Sequence, residues 1–141
     1  MDLLIDTDVT AAREHLQGIR DRLEDPRALL TQAGLLLEEY ETEVFRTRGR
    51  GQWESLDPAT VELKGSGRLL VDTGNLFDFL TTARIEGESA VVNQGAAHYG
   101  RFLRDGDRGM PRRDPAPEPP DSTQQAWADQ LLGFVVDGHS L

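Results

Sequence analysis

Apolar residues recur at spacings of 3, 4, 3 and 4 through Val9, Ala12, Leu16, Ile19 and Leu23, which puts them on one face of a helix over residues 9–23. Asp6, Thr7 or Asp8 supplies its cap, and acidic groups there suit the helix dipole. Asp25-Pro26 reads as an N-cap followed by proline at the first helical position. It opens a second helix to about Thr47, with Leu29, Leu30, Ala33, Leu36, Leu37, Tyr40, Val44 and Phe45 apolar. So wide a stripe predicts packing against both the first helix and a later sheet. The run Glu38-Glu39-x-Glu41-x-Glu43 reads as a solvated face, with a partner surface as the alternative.

A polar loop follows, in which Trp53 and Leu56 are the apolar pins. Asp57-Pro58 starts a turn or short helix that Gly65 and Gly67 stop. Leu69-Leu70-Val71 is a short apolar run ending in a structural turn at Asp72, Thr73 and Gly74, and Asn75–Leu80 closes a turn. Residues 81–85 and 90–92 read as two strands joined through Glu86-Gly87-Glu88-Ser89. A short segment then holds Tyr99, Phe102 and Leu103. Residues 114–120 include four prolines and form a stiff extended arm. Asp121 or Ser122 caps a last helix, each with Gln three residues on as in a capping box. There Trp127, Leu131, Phe134 and Val135 share a face, and Gly138 ends the helix.

The pattern predicts an α+β fold: two N-terminal helices, a long central loop, a small antiparallel sheet, and a C-terminal helix on a Pro-rich arm. The division falls between residues 1–113 and the arm with its helix, 114–141. The chain's 141 residues suffice for one domain with a core. No apolar run approaches bilayer length, so no membrane partner is expected, and the acidic start MDLLIDTD is unlike a signal peptide. Zero cysteines exclude disulfides, thiolate metal sites and thiol catalysis.

The net charge of −10 argues against wrapping nucleic acid. Residues 1–43 carry 11 acidic and 4 basic groups, whereas residues 44–76 carry 4 acidic and 5 basic. Asp72-Thr73-Gly74 after an apolar run is also the signature of aspartic proteases, whose chemistry needs two carboxylates sharing a proton across a two-fold axis. The helical start and the lack of a glycine-rich flap speak for a plain turn. Asp105-x-Asp107-x-Gly109 hints at a calcium loop, but Met110 and Ala116 stand where glycine and glutamate are required. His15, His98 and His139 are scattered. The sequence therefore assigns no catalytic residue, no metal ligand and no cofactor.

Gly51-x-Trp53, Leu56, Thr60, Leu69-Leu70 and Thr73-Gly74-x-Leu76, followed by Tyr99-Gly100-x-Phe102-Leu103, Gly106 and Met110-Pro111-x-Arg113, share order and spacing with a known pattern. The arrangement resembles the phage virion morphogenesis family, the Mu-like tail-completion proteins, over roughly residues 25 to 118. Asp114-Pro115-Ala116-Pro117 departs from it, since the family usually continues with an apolar strand there. The resemblance implies a structural, non-enzymatic virion protein of the head–tail neck, present in the host cytoplasm during assembly. Such proteins work as rings, possibly hexamers, that touch other neck and tail proteins, with DNA at most passing through the lumen.

In a ring, Arg48, Arg50, Arg112 and Arg113 line the channel or offset the acidic helices, and Trp53 pins the loop beside them. Trp127, Leu131 and Phe134 would dock on a neighbouring subunit or on their own core, the first being slightly preferred. The alternatives to the neck reading are a homodimeric aspartic hydrolase using Asp72, and an acidic adaptor or inhibitor whose N-terminal helices mimic nucleic acid.

Overall fold

A computed structural model describes residues 8–67, 75–92, 100–106 and 111–140. The described elements are α1 (Thr10–Glu24), α2 (Pro26–Arg46), α3 (Pro58–Lys64), α4 (Asn75–Thr81), β1 (Ala83–Glu86), β2 (Ser89–Val92), α5 (Gly100–Asp105) and α6 (Asp121–Asp137). The fold is α+β: among the described residues, helices lie towards both ends of the chain and there is one two-stranded antiparallel sheet.

The first two helices fall where the periodicity puts them. Asp25 caps α2 by accepting a hydrogen bond from the Arg27 N–H, and Pro26 stands at the first helical position. Asp57 does the same for α3 through the Ala59 N–H, and Gly65 ends it at φ +74°. Asn75–Leu80, expected as a turn, is helical in α4. Leu76 and Leu80, one turn apart, are both buried on one side, and Phe77 packs edge-on against Phe45 with ring centroids 5.1 Å apart. The hairpin is tighter than expected, with Glu86 opposite Ser89 and only Gly87-Glu88 between them. Gly87 takes φ +61°, which such a two-residue turn requires.

Helix α2 is the spine, contacting α1, α4, α6 and both strands. Its acidic run is not one solvated face. Glu38 accepts the Ala83 N–H at 2.8 Å and so anchors β1, while Glu43 pairs with Arg46 on the surface. Gly34 lets β1 come close: a Cβ there would lie 3.1 Å from that of Ala83. The core forms two clusters bridged by Phe45, one of Val44 and Trp53 and the other of Leu76 and Leu80.

One expectation at the C-terminal end is corrected. No side chain caps α6. Pro120 occupies the N-cap position, and Gln124 instead donates to the Pro119 carbonyl at 2.8 Å. The apolar face of α6 packs within the same chain against α1 and α2. Trp127 stands edge-on to Tyr40 at 5.7 Å, Phe134 is buried, and the Arg22 guanidinium donates to the carbonyls of Val135 and Val136 at 2.7 and 2.9 Å. Those carbonyls belong to the last turn of a helix, where no intrahelical donor remains for them, so a cation there is doubly favourable.

Candidate interaction site

The turn after α2 is unusual. Arg48, Gly49, Arg50 and Gly51 take φ of 54°, 65°, 57° and 81°, a left-handed stretch that arginine adopts only with strain of about 1 kcal/mol or more per residue. It persists because its surroundings hold it. Thr47 receives the Arg50 N–H on its hydroxyl, and the N–H groups of Gly49, Gly51 and Trp53 donate to Val44, Thr47 and Arg48 at 2.7, 2.9 and 3.0 Å. With those N–H groups spent internally, the turn is no backbone anion nest. It presents Arg48 and Arg50 as exposed side chains instead.

Trp53 closes the turn. Its indole is buried edge-on against Phe45 at 5.4 Å, and its Nε1–H donates to the Asp114 carbonyl at 3.1 Å. The adjacent Arg113 is buried too. Its Nε donates to the Glu54 carbonyl at 2.8 Å, its Nη2 to the Ser55 carbonyl at 3.3 Å, and its backbone N–H to Leu103 at 2.8 Å. Farther along, the Tyr40 hydroxyl lies 3.3 Å from the Pro117 carbonyl, and Ala116 packs on the Leu76–Leu80 cluster. The Pro-rich arm is thus extended, as its prolines dictate, but it is a strap laid on α2 rather than a free linker.

Glu41 lies beneath the strap. Only 4% of it is exposed, and its Oε2 has no hydrogen-bond partner. Burial, with the Asp114 carboxylate adding to it, pushes the Glu41 carboxyl up to about 8 from its ordinary 4.5. Between those values the folded chain holds a proton that the unfolded chain has released. Stability is therefore highest below pH 4.5 as far as this group is concerned, and its contribution is lost as pH rises towards 8. Wild-type protein should lose roughly 2–3 kcal/mol between pH 5.5 and pH 8 from this group, whereas Glu41→Gln should be flatter and more stable at pH 8. Urea melts of both proteins at the two pH values check this, and parallel pH profiles would refute it.

Of the residues singled out from the sequence, Trp53, Arg113 and Phe134 are interior, Trp127 and Leu131 are half-buried, and Arg48, Arg50 and Arg112 are exposed. Trp53 and Arg113 meet in one joint, and Trp127 and Phe134 stabilise the chain's own fold. Asp72, Thr73 and Gly74, with Leu69, Leu70, Tyr99 and Met110, lie outside the described residues. Glu41 was missed because it sits in an acidic run. Its place four residues after Leu37, and three and four before Val44 and Phe45, puts it on the apolar stripe. No protein-family model matches this chain, and no curated protein or solved structure matches it either.

Proposed function

We propose that this chain is a structural component of a phage head–tail connection, of the tail-completion kind. It acts as a ring of copies between neck and tail proteins and catalyses no reaction. The observation that supports this reading most is the joint itself. Gly51-x-Trp53 and Pro111-x-Arg113, the two ends of the motif pattern, are about sixty residues apart in sequence. They close on each other through the Trp53–Asp114 bond and the bonds of Arg113 to Glu54 and Ser55. A motif whose distant parts form one rigid joint behaves as a scaffold, and this one fixes a turn that displays Arg48 and Arg50. In a ring those exposed arginines, with Arg112, would line the channel past which DNA moves. Among the described residues no helix is long and apolar enough to cross a membrane.

A phage lacking the gene should accumulate filled heads and free tails that do not join, with joining restored by the wild-type chain. Asp72→Asn should restore joining equally well if Asp72-Thr73-Gly74 is the plain turn its sequence predicts, since such a position tolerates the amide. Normal joining without the gene would refute the neck reading. A folded Asp72→Asn chain that fails to restore joining would favour the aspartic hydrolase.

A further inference from the structure

Helix α1 buries none of its residues. Gly18, Ile19 and Arg22 are half-buried, and its other twelve residues stand exposed. Among the described residues, the hydrogen bonds that leave α1 for another element are those of the Arg22 guanidinium to the Val135 and Val136 carbonyls at the end of α6. The guanidinium lies in a notch made by two glycines. A Cβ on either Gly18 or Gly138 would lie 3.2 Å from its Nη1, so a side chain at either place would crowd it. Gly18 stands in the helix interior, where glycine weakens the helix that carries it.

A joint of one residue connects α1 to α2. Asp25, at φ −105° and ψ 84°, stands alone between Glu24 and Pro26. It caps α2 through the Arg27 N–H, and Pro26 needs no acceptor, so the start of α2 is satisfied without α1. Nor can the two helices merge into one. Pro26 lacks the N–H that would bond the Arg22 carbonyl, and its ring would strike that carbonyl.

We propose that α1 is a hinged arm, latched shut by Arg22, which swings open about Asp25 while the rest of the fold stays intact. On opening, α1 gives up the cover of three half-buried residues and the two Arg22 bonds. Helix α2, by contrast, buries Leu36, Glu41 and Val44 and packs on both strands, α4 and α6. An element with so few buried contacts opens at a lower free energy than the core does. The Gln17–Asp21 and Arg20–Glu24 bonds lie within α1 and travel with it. Yet a helix of fifteen residues with an interior glycine is marginal alone in water, so the open arm frays and the closed arm is ordered by its latch. Opening also bares the last-turn carbonyls of α6, which are then free to accept another donor.

Native-state hydrogen exchange on the full-length chain tests the arm. In the wild type, the α1 amides should be protected, but about tenfold or more less than those of α2. Sub-denaturing urea should speed α2 exchange steeply and α1 exchange hardly at all, because opening the arm exposes little surface. Arg22→Gln should speed α1 exchange by about tenfold or more, the effect of losing bonds from a charged donor. Arg20→Gln, which breaks an exposed pair on the same helix, should change it by about threefold at most. Equal protection and equal urea dependence in α1 and α2 would overturn the arm, since α1 would then open only when the whole chain unfolds. Unprotected α1 amides in the wild type would overturn the closed state. An Arg22→Gln chain with unchanged α1 exchange, or an Arg20→Gln chain that loosens α1 as much, would overturn the latch.

Discussion

Gly49→Ala is expected to destabilise the fold by about 3–5 kcal/mol, the range seen when a buried tryptophan loses its packing. A Cβ on Gly49 would lie 2.2 Å from Nε1 of Trp53 and 2.3 Å from its Cδ1, well inside contact distance. The indole has no room to yield, since Phe45 stands edge-on to it and its N–H is committed to the Asp114 carbonyl. The glycine's φ of +65° adds a smaller backbone penalty of about 1 kcal/mol. Gly51, two residues on, also has positive φ but nothing within 4 Å of its missing Cβ. Gly51→Ala should therefore cost only about 1 kcal/mol, the backbone part alone. Thermal or urea unfolding of the pair separates the two contributions. Equal losses at both positions would mean that Trp53 does not press on Gly49.

Truncation after Asp114 should abolish cooperative folding altogether. The deletion removes Ala116 from the Leu76–Leu80 cluster, the backbone partners of the Tyr40 hydroxyl, the Trp127 ring beside Tyr40, and the buried Phe134. It also leaves Arg22 without its carbonyl partners and strips one side of α2. Each large apolar loss is worth about 2–5 kcal/mol, and together they reach the whole stability of an ordinary domain. Circular dichroism should show helix content with no sigmoidal melt, accompanied by aggregation in light scattering. A truncated chain that melts cooperatively would show that α6 belongs to another surface.

Periodicity and capping chemistry are local, so the sequence by itself determined a good part of this protein. The limits of α1 and α2, the Asp57-Pro58 start and Gly65 stop of α3, the Gly138 end of α6 and the existence of one hairpin all follow from neighbours within a few residues. The motif pattern likewise marked Trp53 and Arg113 as special. Only the tertiary structure decided what these residues touch. Whether Trp53 and Arg113 face a partner or each other's segments depends on contacts across about sixty residues, which no local spacing encodes. Nor does an acidic run reveal that Glu38 anchors a strand, Glu41 is buried and Glu39 meets water, since their burial depends on which elements later cover each side of α2. The helix made of Asn75–Thr81 needed Phe45 and the strap to make its Leu76–Leu80 face worth burying. The left-handed turn at 48–51 is held by local hydrogen bonds to Val44, Thr47 and Arg48, but what Trp53 at its end packs on, Phe45 and the Asp114 carbonyl, was decided by the tertiary structure.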